Sequence, residues 1–271
     1  MGDDRPIGVF DSGVGGLTVV RAIVDLLPHE RIVYVGDSAR FPYGPKPVEE
    51  IRRYALEIAA YLVGRGVKML VVACNSIEVS AIGDIATAHG IPVIGVINPG
   101  VRAALRATRN GVIGVIGTQA TIATGAYQRA VGSAAELHAA ACPVFVEHVE
   151  RGDTTSEELR RAAAAYLAPL KAAGVDTLIL GCTHYPLLSG LLQLEMGPQV
   201  VLVSSAEETA KDVYATLLRQ GLARDEGAGP QEHEFRSTGD PAQFRRLATR
   251  FLGPEIGDLH VRRVEVGEAW S

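Results

Sequence analysis

The chain has 271 residues, which fits one large or two modest domains and can bury a substantial core. Apolar residues make up 47%, charged residues 21%, and the formal charge is −5, so neither a disordered chain nor the basic footprint of a nucleic-acid binder is indicated. Aromatics at 6% offer no stacking platform for single strands, no apolar run is long enough for a bilayer, and the acidic start MGDDRP lacks the basic, then apolar, pattern of a signal peptide, which predicts a cytosolic setting.

Short Val- and Ile-rich runs alternate with longer helical patterns along the chain. In order, the reading is strand 7–10, helix 16–27, strand 31–35, helix 47–64, strand 67–73, helix 76–89, strand 92–97 and helix 100–108. Strand 112–117, helix 119–131, strand 142–147, helix 155–173, strand 175–181, helix 186–195, strand 199–203 and helix 205–220 follow. Thr154-Thr155-Ser156-Glu157-Glu158 marks one helix start, with a hydroxyl cap and early carboxylates. Beyond 222, strands near 232–236 and 260–265 flank a helix near 240–251. Such alternation predicts an α/β fold with parallel sheets covered by helices on both faces.

The pattern also repeats. The strands at 7, 31 and 67 have counterparts at 112, 142 and 175. The third strand of each half ends in a cysteine, in LVVACNS and LILGCTH, an offset of 108 residues from 74 to 182. This predicts two similar domains, each a mainly parallel sheet flanked by helices, related by an approximate twofold. The first would comprise 1–97 with a C-terminal return over 206–271, and the second 98–205. The site is expected in the cleft between them, since ligands of open α/β sheets bind at the carboxyl ends of the strands.

Three cysteines without Cys-x-x-Cys form neither a disulfide framework nor a zinc site, and no metal is expected. Cys74 and Cys182 each follow a strand and precede a helix, beside the capping types Asn75-Ser76 and Thr183. A thiol at a helix N-terminus is expected to have a lowered pKa. Cys142, in AACPVF, reads as the buried start of a strand. Asp11-Ser12 ends the first strand, and Gly13, Gly15 and Gly16 open the next helix where backbone N–H groups can hold a carboxylate. The spacing fits neither a dinucleotide fingerprint nor a P-loop. Asp37 ends the second strand ahead of Phe41-Pro42-Tyr43-Gly44, a rigid loop able to wall a pocket. Glu150 follows the second strand of the other half, so Asp37 and Glu150 are expected to face one cleft. Glu147 reads as solvated. His184, two residues beyond Cys182, can orient or activate that thiol.

Two opposed thiols suit inversion of a stereocentre, in which a base works on one face and an acid on the other. Of the four lysines, Lys46 alone falls on a carboxyl-side loop, which argues against pyridoxal phosphate, and no cofactor is expected. A two-lobed amino-acid-binding module would leave the paired thiols unexplained. A thiol-redox protein would not separate them so widely.

The segments GVFDSGVGGLTV, YVGDSARFPYGPK, VVACNS, IPVIGVI, GVIGT, CPVFVEHVERG and LILGCTHYPLL, in this order across nearly the whole chain, resemble those of the bacterial glutamate racemases. The resemblance implies cofactor-independent two-thiol racemisation that supplies D-glutamate for peptidoglycan, and a homodimer. Cys74 and Cys182 fall on its catalytic cysteines, with Cys74 the base toward D-glutamate. Asp11, Asp37, Glu150 and His184 fall on assisting groups. Substrate contacts fall on Asp11, Ser12, Pro42, Tyr43, Gly44, Asn75, Ser76, Thr118, Thr183 and His184. A related two-cysteine enzyme acting on aspartate, hydantoins or maleate is the nearest alternative. The chain departs from the pattern at Ile77-Glu78-Val79, which puts bulk and charge in the first turn after Cys74, and at Asn98, where the family often has Glu. Facing inward, Ile77 or Glu78 would alter the site; facing outward, they would be neutral.

Overall fold

Runs such as Ile-Gly-Val-Phe-Asp and Thr-Leu-Ile-Leu-Gly carry no polar face to offer solvent, so strands built from them must be covered on both sides. In the computed structural model they are: β1 (Ile7–Asp11), β2 (Ile32–Gly36), β3 (Met69–Val72) and β7 (Thr177–Gly181) are buried throughout. The structure describes residues 2–225, 227, 229, 232–253 and 259–266. The remaining strands are β4 (Val93–Ile94), β5 (Val112–Gly117), β6 (Glu136–Ala141), β8 (Val201–Val203), β9 (Glu234–Ser237) and β10 (Val261–Arg263). The helices are α1 (Leu17–Leu26), α2 (Val48–Gly64), α3 (Asn75–His89), α4 (Ile97–Ala107), α5 (Gln119–Ala123), α6 (Ala126–Val131), α7 (Phe145–Arg151), α8 (Glu157–Ala172), α9 (Ser189–Met196), α10 (Ala206–Gln220) and α11 (Pro241–Leu252).

Among the described residues these form two wholly parallel sheets, ordered β10-β9-β2-β1-β3-β4 and β6-β5-β7-β8. The run β2-β1-β3-β4 has the same order as β6-β5-β7-β8, which is the structural form of the sequence repeat. The C-terminal return adds β9 beside β2, with Tyr34 opposite Phe235. Ser156 caps α8 as its sequence indicates, its Oγ accepting from the Leu159 N–H at 3.2 Å.

One strand lies elsewhere than expected. The apolar run 142–147 is not a strand; β6 is the preceding Glu136–Ala141, and Phe145–Arg151 is helix α7. The Cys142 N–H makes the last ladder-like bond, to the Gly117 carbonyl at 2.9 Å, and Pro143 has no N–H to continue it. Cys142 therefore follows its strand rather than starting it, though it is buried in the core as expected. The patterns 119–131 and 186–195 each resolve into two pieces, α5 with α6, and a 3₁₀ turn Tyr185–Leu188 with α9. The strand expected over 92–97 shrinks to β4, because α4 begins at Ile97.

Candidate active site

The carboxyl ends of β1 and β3 from one sheet and of β5 and β7 from the other meet around a small cavity of ≈ 130 Å³. Cys74 and Cys182 both line it, with Ser12, Pro42, Tyr43, Gly44, Asn75, Ser76, Thr118, Thr183 and His184. Among these side chains, Ser76 and Thr118 tie the two halves together through a 2.9 Å Oγ···Oγ1 contact, and Thr118 caps α5. The Ala120 N–H donates to the Gly44 carbonyl at 3.1 Å across the same seam. Gly15 matters here for its missing side chain: a Cβ would overlap Thr183 and the His184 ring, so only glycine lets the β1 loop approach the β7 end this closely.

Cys74 is the residue just before α3, in extended conformation, and its Sγ lies 3.6 Å from Ser12 Oγ. Its thiol is nevertheless not poised as thiolate. Burial pushes its pKa up to about 12, the nearby Asp11 charge adds to the rise, and the Ile77 N–H opposes it only weakly. Burial raises Cys182 as well. The lowered thiol pKa expected from the helix position is thus reversed. For Cys182 the helix itself is also weaker, since a single 3₁₀ turn follows it.

The three carboxylates stand behind the cavity wall rather than on it. Asp11 is fully buried and its pKa is raised by burial. Its Oδ2 accepts from the Gly13 N–H at 3.0 Å, and its buried Oδ1 makes no hydrogen bond of ordinary geometry, though the Gly16 N–H and the Cys74 thiol lie close enough to favour the charged form. Asp37, expected to face the cleft, instead accepts from Tyr43 OH, from Arg40 Nε at 2.7 Å and from Thr238 Oγ1 at 2.6 Å. It therefore braces the Phe41–Gly44 wall from inside. Glu150, on α7 rather than on a strand-end loop, reaches the cavity through His184, with Oε1 3.2 Å from His184 Nε2. The other ring nitrogen, Nδ1, is 3.9 Å from Cys182 Sγ. Glu147 is exposed, as expected, and also contributes to the cavity lining.

Several lining or supporting groups had no signal in the sequence. Pro45, Gln119, Pro143, Val146 and Gly181 also line the cavity. Tyr127, buried on α6, accepts at its OH from Asn75 Nδ2 at 2.8 Å. From α11, Phe251 meets the His184 ring edge-on at 5.5 Å, and Arg250 donates to the Glu150 carbonyl at 3.0 Å. No periodicity announces such contacts, because they join residues 52 to 100 positions apart in the chain. Among the described residues, no cluster of His, Cys, Asp or Glu is placed to hold a metal ion, and no helix is long and apolar enough to cross a membrane.

Comparison with known proteins decides the family. Residues 7–213 match the family model described as Asp/Glu/Hydantoin racemase. The chain belongs to that family. The glutamate racemase of Mycobacterium tuberculosis is 58% identical over 256 residues, covering 94% of each chain. Among solved structures, a glutamate racemase isoform of Bacillus anthracis superposes with a TM-score of 0.90 at 41% identity, covering 96% of this chain and 97% of that one. The glutamate racemase of Francisella tularensis, in complex with D-glutamate, gives a TM-score of 0.89 at 35% identity, covering 97% and 98%.

Proposed function

We propose that this enzyme interconverts L- and D-glutamate without a cofactor, Cys74 and Cys182 exchanging the Cα proton from opposite faces. The observation that carries the reading is the convergence of both thiols, from equivalent strand ends, on one small cavity. The identity to named glutamate racemases supports glutamate over aspartate as substrate.

In this reading one thiolate removes the Cα proton and becomes a thiol, while the opposite thiol delivers its own proton to the other face and becomes the thiolate. The enzyme finishes with the two roles exchanged. Since both thiols rest protonated, the base must be generated on binding. The substrate ammonium, brought beside a buried thiol, favours its thiolate form. Asp11, with its raised pKa and a buried Oδ1 that lacks a hydrogen bond of ordinary geometry, is suited to receive the Cys74 proton. His184, held by Glu150, serves Cys182 in the same way. Ser12, Asn75, Ser76 and Thr183, with the first N–H groups of α3, are the donors available to the substrate carboxylates. Tyr43, Gly44 and Thr118 wall the far side.

The further parts of the reading are a role in supplying D-glutamate for peptidoglycan, a cytoplasmic location, a homodimer, and a division into 1–97 with 206–271 and 98–205. The decisive experiment incubates L- and D-glutamate, and in parallel L- and D-aspartate, separately with the enzyme in D₂O. Deuterium should enter Cα of either glutamate enantiomer with no addition. Absence of exchange, or exchange that needs pyridoxal phosphate, would sink the proposal, and exchange confined to aspartate would move it to the alternative substrate.

A further inference from the structure

The three residues that depart from the family pattern have three separate destinations. Ile77 is fully buried in the core around α2 and β3. Val79, two residues on, packs against the core of the other half, with Ile97, Val101 and Ile179. Glu78 lies between them and is 7% exposed. Its Oε2 accepts from the Val96 N–H at 2.5 Å and from the Ile97 N–H at 3.0 Å, the first amides of α4. A carboxylate at that position meets two orphan donors and the positive end of the helix. It lies directly over Gly95, where a Cβ would run into the carboxylate.

The location gives the contact its consequence. Glu78 sits one turn beyond Cys74, on the helix that Cys74 begins. Helix α4 is the first helix after the chain leaves the first sheet, and it packs on β7, the strand that ends just before Cys182. It also packs on α6, whose Tyr127 accepts from Asn75 in the cavity wall. The carboxylate thus joins the segment carrying one thiol to the segment carrying the other.

We propose that Glu78 is a positioning residue whose carboxylate, fastened to the N-terminus of α4 above Gly95, sets the placement of Cys74 relative to Cys182. It touches neither thiol and acts through the helices on either side. The proposal rests on the two-thiol reading above. A shift of about 1 Å between reacting groups can cost about 100-fold in rate, so the contact bears on turnover more than on substrate affinity.

The test relocates the carboxylate. Wild type is compared with Glu78→Ala and with Glu78→Ala/Gly95→Asp, which returns a carboxylate to the same space from the other side of the contact. Racemisation is followed in both directions, and cross-linking of Cys74 to Cys182 by dibromobimane is followed without substrate. In Glu78→Ala, kcat should fall about 10- to 100-fold with KM changed less than about threefold, and cross-linking should slow. The double variant should recover most of both. Glu78→Ala turning over within about twofold of wild type, or a folded double variant that recovers neither property, overturns the proposal. Should Glu78→Ala not fold, the folded double variant alone decides by the same two readouts. A wild type unable to racemise glutamate would instead sink the substrate reading, and the cross-linking rates would still judge Glu78.

Discussion

Titrating Cys74 by its reactivity tests the account of the resting site. With a pKa of about 12, set first by burial and then by the Asp11 charge, the thiolate fraction at pH 8 is ~10⁻⁴, against about one quarter for a free thiol of pKa ~8.5. The more basic thiolate is intrinsically more nucleophilic, which returns a factor of ~40 at a Brønsted coefficient of about 0.45. Alkylation by the neutral reagent iodoacetamide should therefore run at least ~50-fold slower than with free cysteine at pH 8, before any hindrance to access. The assay quenches timed reactions between pH 7 and 10 and reads Cys74, Cys142 and Cys182 separately by peptide mass spectrometry. The Cys74 rate should climb tenfold per pH unit throughout, as expected for a group still far below its pKa. A plateau below pH 9, or a rate at pH 8 matching free cysteine, would refute the reasoning and restore the thiolate first expected from the helix position.

Cys74→Ser and Cys182→Ser should each abolish net racemisation in a polarimetric assay, and full activity in either would remove that cysteine from the mechanism. Burial raises the Glu78 pKa to about 7 from an unfolded value of 4.5, so the folded protein holds this proton more tightly and loses stability as pH rises through that window. Between pH 5 and 8, wild type should lose about 2–3 kcal/mol relative to Glu78→Gln in urea titrations; parallel pH profiles would contradict it. Tyr127 is the titratable neighbour, and its own pKa is raised, chiefly by burial with help from the Glu78 charge, so it stays neutral across this range. Lys68 is buried against Glu30 at 2.6 Å, so Lys68→Met, which leaves that carboxylate without its counter-charge and with the Arg224 N–H as a remaining donor, should cost about 3–5 kcal/mol, and a loss under 1 kcal/mol would show the pair to be dispensable.

The strands that cross the middle of each sheet were legible because Val and Ile runs buried on both faces look like nothing else. The strand misread at 142–147 shows where that logic ends. Glu136–Ala141 is an edge strand, half-buried and alanine-rich, so its sequence is unremarkable, while the apolar Val144-Phe145-Val146 beside it is helix or its approach. The two cysteines and the polar residues beside them were legible because strand ends carry them to one place. Asp37 and Glu150 each bond to a side chain that lines the cavity but stand behind it, since sequence places a residue along the chain and not in front of or behind Tyr43 or His184. The thiol pKa was misjudged for a similar reason: a helix N-terminus is visible in sequence, but the burial that overrides it comes from tertiary packing around the strand end. The Ile77-Glu78-Val79 departure was legible as an anomaly, and its meaning required the amides of α4.

The place of β9 beside β2 also dictates an order of events during synthesis. The strands β5 to β8 are all made by Val203, so that sheet can assemble while the rest of the chain is still being translated. The other sheet has to wait. Glu234–Ser237 follows Ile32–Gly36 by nearly 200 residues, about 10–40 s at ordinary elongation rates of ~5–20 residues per second. Throughout that interval β2 presents an open, wholly apolar edge of the kind that recruits neighbouring chains. Asp37 likewise waits for Thr238. A nascent chain stalled before residue 234 would therefore hold one finished half and one adhesive half, and ribosomes spaced closely on one message would bring such edges together.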